Sequence, residues 1–174
     1  ALSSRTMGVD VKGSFAEKLS YRFTAADQRD NGGNPFDYSS DYWLASLSAK
    51  LEGITLSVTE TRLGADEDNN RAFQTPLATL HAFQGWADRF LTTPEFGMRD
   101  TQLSVSGTFF GVSTQLHWHQ YRSDAGSMDL GSEWNLQLAK QIDRYSLALK
   151  FADYQADQFS QDTRKVWFTV ATGF

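Results

Sequence analysis

Cysteine is absent, proline occurs only three times, and no stretch approaches the ~20 uninterrupted apolar residues that a membrane-spanning helix needs. The missing cysteine excludes a disulfide scaffold and thiolate metal ligation. The missing apolar run excludes a helical membrane protein but leaves a strand-based one open. Positive charge is scarce too: 16 Lys and Arg stand against 21 Asp and Glu, a net charge of -5 with a pI near 5.1. No broad basic face is left to neutralise phosphates, so nucleic acid is not an expected partner. The opening ALSSRTMGVD has no basic-then-apolar export signal, and any such signal is expected outside these residues. What the chain has in quantity is aromatic residues, 13 Phe, 6 Tyr and 5 Trp, in a sequence whose mean hydropathy is only -0.45.

Those aromatics fall into a period-two alternation, the mark of strands with one apolar and one polar face. It recurs nine times. Met7, Val9 and Val11 alternate with Gly8, Asp10 and Lys12; Leu19, Tyr21 and Phe23 alternate with Ser20, Arg22 and Thr24. Trp43 to Leu51 and Ile54 to Val58 form a hairpin about Glu52-Gly53, and Leu103 to Phe109 and Val112 to Trp118 form another about Gly111. Trp134 to Leu138, Tyr145 to Phe151 and Val166 to Phe174 complete the set. Short links (13–17, 52–53, 109–111, 141–144) alternate with long polar ones (26–41, 64–99, 123–131, 156–164). That asymmetry is expected of a bacterial outer-membrane barrel, with short periplasmic turns, long outer loops and strands of about 10 residues. A soluble sandwich shares the alternation, but not the asymmetry or the terminal aromatic Phe174. Phe168, Val170 and Phe174 read as the signal for the barrel-insertion machinery.

The expected fold is therefore all-β, an antiparallel transmembrane β-barrel, with residues 1–174 a single barrel segment and 64–99 a long extracellular loop. Nine is an odd count. Single-chain bacterial barrels have even counts, and an open sheet would leave unpaired backbone groups in lipid. The chain thus reads as the C-terminal portion of a larger barrel, whose missing N-terminal strands come from the same gene or another chain. Outer-membrane lipid and lipopolysaccharide are the other expected partners, and no cofactor is expected.

Within the long loop, Thr75 suits an N-cap and Pro76 the first helical position, while Leu77, Leu80, Phe83, Gln84, Trp86, Ala87 and Phe90 recur at helical spacing. The spacing predicts a short amphipathic helix over 76–90. It either narrows the pore or packs on the rim, with His81, Trp86, Asp88 and Arg89 as constriction candidates.

Parity selects the candidate pore-lining residues: Arg22, Lys50, Gln102, Gln115, His117, His119, Glu133, Gln137, Lys150 and Lys165. Their charge is net positive in an acidic chain, which would concentrate anions in an aqueous lumen. Lys12 and Lys50 stand beside short turns and read as rim lysines; Arg22 and Lys150 are the better pore candidates. His117 and His119 could chelate a metal, but no third ligand lies nearby in sequence, so they read as lumen histidines. The acidic run Asp66 to Asn70 lacks the order and terminal Glu of a calcium loop and reads as solvated.

The segment Phe73 to Asp100 (FQTPLATLHAFQGWADRFLTTPEFGMRD), with Glu60 to Gly64, KFADYQAD (Lys150 to Asp157) and DTRKVWF (Asp162 to Phe168), resembles the C-terminal region of alginate-export-type outer-membrane porins. The similarity extends from about the third strand to the end. It implies an 18-stranded barrel and a passive channel for an anionic polysaccharide or another hydrophilic solute. One departure stands out: that family's polysaccharide pore is rich in arginine, whereas Arg22 is the sole arginine at a mid-strand lumen position here. The competing classes are a lipase-like barrel enzyme and a non-conducting scaffold or adhesin. An enzyme acting on lipid at the wall needs an outward His beside an outward Ser, and parity puts both histidines inward.

Overall fold

A computed structural model of the chain describes residues 3–16, 18–75 and 84–173. Each alternating run becomes a strand, and the long connection adds two short ones. In chain order they are β1 (Ser4–Phe15), β2 (Leu19–Asp30), β3 (Ser39–Leu51), β4 (Ile54–Leu63), β5 (Ala65–Asp66), β6 (Arg71–Ala72), β7 (Met98–Phe109), β8 (Val112–Arg122), β9 (Asp129–Ile142), β10 (Tyr145–Gln155) and β11 (Thr163–Thr172). The nine long strands form one antiparallel sheet in the order β1-β2-β3-β4-β7-β8-β9-β10-β11, and β5 and β6 form a separate ribbon. β1 and β11 are its two edges and, among the described residues, do not pair with each other.

Tight turns set the register at one end of the sheet. Leu51 faces Ile54 and Phe109 faces Val112, which leaves Glu52-Gly53 (φ 46 and 86) and Phe110-Gly111 (φ 51 and 73) as two-residue links. Positive φ at both positions matches the right-handed twist of the flanking strands. The long connections gather at the other end. There the acidic run closes the β5-β6 ribbon as a turn rather than a loose loop, with Asp66 accepting the backbone N–H of Asn69 (3.3 Å) and of Ser39 (2.9 Å).

The two faces differ sharply. One carries Met7, Val9, Val11, Phe23, Leu47, Leu56, Val58, Leu103, Val105, Leu116 and Leu149, all exposed, and ends on β11 with Val166 (63%), Phe168 (70%) and Val170 (55%). An apolar face of this extent, with no protein over it among the described residues, has the character of the lipid-facing side of a transmembrane sheet. The opposite face is concave, because one cleft is lined by residues from β2 across to β10. The buried core is local. It lies where the long connection packs on that concave face, with Phe73, Ala87 and Phe90 of the connection against Leu63, Met98, Tyr121, Leu130 and Tyr154 of the strands.

Candidate functional site

Register brings the polar residues of β7, β8 and β9 side by side on the concave wall. His117 lies between Ser104 and Asn135, and His119 between Gln102 and Glu133. His117 Nδ1 is 2.7 Å from the Ser104 hydroxyl and 3.0 Å from the Gln102 amide nitrogen, so it is the accepting nitrogen of the ring. The buried His119 donates from Nδ1 to the Asp100 carboxylate at 2.9 Å. Asp100, Gln102, His117 and His119 line an open cleft of about 490 Å³, together with Arg22, Gln115, Gln137 and Lys150.

The part of the long connection that follows the undescribed residues 76–83 enters this face and is fastened to it. Glu133, wholly buried, accepts the backbone N–H groups of Trp86 (2.6 Å) and Ala87 (2.8 Å) on one carboxylate oxygen, and Asn135 Oδ1 lies 3.3 Å from the Trp86 N–H. Gly85 permits the approach: at φ +81, a Cβ there would stand 2.3 Å from the Tyr121 hydroxyl and 2.4 Å from the Glu133 carboxylate. Asp88 pairs with Lys165 at 2.7 Å, and Arg89 donates to the Ser160 hydroxyl from Nε at 2.7 Å. The Lys150 ammonium sits 4.3 Å from the centre of the Trp86 ring, within cation–π range. Phe90 completes the anchor, stacked on Phe159 and tilted against Tyr121.

The expected helix over 76–90 is corrected in its second half. Residues 84–90 are turns, with Gln84, Gly85 and Asp88 all at positive φ. Trp86 and Ala87 give their N–H groups to the wall carboxylate instead of to preceding carbonyls, and that tertiary bond replaces the helical one. The first half of the expected helix, His81 with it, lies outside the described residues, as does Phe174.

The remaining sequence candidates divide into four groups. Arg22, Gln102, Gln115, His117, His119, Gln137 and Lys150 share the cleft, where Arg22 is paired to Asp10 at 2.7 Å. Lys50 stands exposed at the tight-turn end, away from it. Glu133 is buried beneath the loop, and Lys165, its side chain a third exposed, pairs with Asp88 of that loop. Trp86, Asp88 and Arg89 come together at the wall, though as a turn rather than as one helical face. Asp100, Tyr121 and Gly85 were not singled out. Parity with Gln102 and His119 marks the first two as inward; nothing in the sequence marks Gly85. Among the described residues no group of three or more His, Asp or Glu has a metal-holding arrangement.

At the rim the connections are tied by carboxylates. Burial alone would push the Asp124 carboxyl up, but the Arg62 guanidinium, the Ala65 N–H and Arg99 together hold it below its ordinary value of 3.8. Arg62 binds both of its oxygens, at 2.5 and 2.9 Å. Asp66 is lowered likewise, chiefly by the Ser39 N–H.

An apolar convex face, a polar concave one, tight turns at one end and an inward-bound loop at the other together describe an antiparallel sheet of porin-type fold. A solved structure carries the same fold: OccK9 (OpdG) of Pseudomonas aeruginosa, an outer-membrane porin, superposes with a TM-score of 0.67 at 18% identity, over 97% of this chain and 47% of that one. The chain therefore spans about half the length of that porin. No family model matches the sequence, and no curated protein matches it.

Proposed function

We propose that this chain supplies the C-terminal half of an 18-stranded outer-membrane channel for hydrophilic solutes. The concave wall lines its lumen, and the 84–97 segment narrows it. The observation that carries this reading is the segment bound to the polar wall through Glu133, Lys165 and Lys150 while, among the described residues, the apolar face stays uncovered. Loops that fold over the polar face of a sheet, and not over its apolar face, belong to a molecule whose polar face encloses water and whose apolar face meets lipid. The residence is the bacterial outer membrane, and the completing strands belong to the same gene product or a second chain.

Arg22 and Lys150 border the cleft and favour anions, in line with the resemblance to alginate-export-type porins and an anionic polysaccharide among the solutes. Conduction, not catalysis, is the role assigned to the wall. His117 and Ser104 lie within hydrogen-bond reach, but on the concave side, where no lipid reaches them. Planar-bilayer recordings of the complete protein test the reading. Ohmic single-channel steps are expected, with an anion preference that falls in Arg22→Glu and Lys150→Glu. Phospholipid turnover without conduction would replace it with an enzyme, and neither signal with a scaffold.

A further inference from the structure

The register places three arginines side by side on the apolar face: Arg62 of β4 faces Arg99 of β7, which faces Arg122 of β8. They stand toward the long-connection end, beyond Val58, Leu103 and Trp118, which carry the same face toward the tight turns. Trp118 lies beside Trp134 on that face with ring centroids 6.5 Å apart, an aromatic pair of the kind found at membrane interfaces. Like charges directly opposite one another in a sheet destabilise it unless something answers them. Here the answer is incomplete. Arg62 is held by Asp124 and Asp41, and Arg99 reaches Asp124 through one bond of 3.1 Å and stays half-exposed. Arg122 is exposed and has no ion pair among the described residues.

Arg99 and Arg122 open onto a polar cleft of about 450 Å³, with Gln120, Ser123 and Ser127 on its walls. Its acidic members are engaged within the protein. Asp124 accepts from Arg62 and the Ala65 N–H, Asp129 from the Gln120 amide and the Gly131 N–H, and Glu60 from the Thr101 hydroxyl. The cationic donors left to the cleft are the Arg99 and Arg122 guanidinium groups, whose planar fork matches phosphate oxygens two at a time.

We infer that Arg99 and Arg122 form a binding site on the lipid-facing side for the phosphate of a lipid headgroup in the outer leaflet, its acyl chains lying along Val58, Leu103 and Trp118. This rests on the outer-membrane reading above, and it assigns the apolar face a specific lipid contact in addition to a general one. A phosphate bridging the pair gives Arg122 the ion pair it lacks among the described residues and Arg99 a second acceptor.

The test uses the complete protein in detergent micelles, with EDTA present to remove cation bridges through Glu60 and Asp129. Lipopolysaccharide, dephosphorylated lipopolysaccharide and inorganic phosphate are titrated against wild type, Arg99→Gln/Arg122→Gln and Arg122→Lys. Wild type is expected to bind lipopolysaccharide about tenfold or more tightly than the double variant does, the size expected from losing charged hydrogen bonds. Arg122→Lys should retain part of the affinity. Equal binding of the dephosphorylated lipid, or by the double variant, overturns the site; loss of binding in EDTA replaces it with a cation bridge; competition by inorganic phosphate makes it a free-anion site. The same preparations are recorded in bilayers. The double variant should conduct as wild type does, which also shows that it is folded; altered conductance with unchanged lipid binding would place these arginines in the lumen and overturn the proposal. Lipid binding by a wild type that does not conduct refutes the channel and leaves the lipid site standing.

Discussion

At the scale of single residues, the decisive group is a carboxylate buried in the polar wall. Glu133 has the parity of a lumen charge, yet its oxygen is taken up by two backbone N–H groups of the connection, at 2.6 and 2.8 Å. Glu133→Ala would orphan the Ala87 N–H, at about 1–3 kcal/mol if it stays buried, and leave the Trp86 N–H only its 3.3 Å contact with Asn135. The expected outcome is release of the 84–90 turn, read as faster proteolysis there and larger single-channel conductance. Gly85→Ala should do the same by a different route, since its Cβ would meet the Tyr121 hydroxyl at 2.3 Å. Asp124 offers a pH test at the rim. Its carboxyl is held below its ordinary 3.8 in the folded chain, so its contribution is complete above that value and is lost as pH falls through the depressed one. Protection of the Ala65 amide, hydrogen-bonded to Asp124 at 3.1 Å, should persist as pH falls to the ordinary carboxyl value of 3.8 and decline only below it. Asp124→Asn should remove that pH dependence.

At the scale of elements, alternation and turn chemistry do most of the work. On β8, Leu116 points to the exposed apolar face and its neighbour Gln115 to the cleft. Leu116→Arg is expected to cost about 2–4 kcal/mol if it lies near the bilayer midplane, whereas Gln115→Arg should leave stability nearly unchanged and alter conduction. Denaturant unfolding from lipid vesicles measures the first and bilayer recording the second. The long connection obeys neither rule. Its helical spacing is genuine as a pattern, but Leu77 to Phe83 lie outside the described residues, and Trp86, Ala87 and Phe90 answer to the wall and to Phe159, Tyr121 and Tyr154. A helix of that length is marginal on its own, so a buried carboxylate and an aromatic nest outweigh its propensity.

At the scale of the whole molecule, the two open edges set the next requirement. β1 and β11 each present a row of backbone groups that no strand satisfies among the described residues, and in hydrocarbon each such group costs several kcal/mol. With nine strands in strict antiparallel order, β1 and β11 run in the same direction. An all-antiparallel closure therefore needs an odd number of additional strands between them. The 174 residues alone are expected to give no ohmic steps and to aggregate through these edges, and strands supplied by the rest of the barrel should restore both insertion and conduction. A conducting assembly of this chain alone, shown by intact mass to contain only 19.5 kDa subunits, would refute the requirement.

The sequence by itself determined the strands, their order, the faces and the asymmetry of the connections, because a period of two and paired positive-φ turns such as Glu52-Gly53 are local properties of the chain. It also placed Arg22, Gln115, His117 and Lys150 on one wall, since parity carries across a sheet once register is set. Only the tertiary structure decided what covers that wall. Trp86 and Ala87 meet Glu133 across 46 or more positions of sequence, and Arg62, Arg99 and Arg122 become neighbours only when three strands align. Contacts of that kind depend on where the backbone of one element lies against another, and neither propensity nor alternation contains that distance.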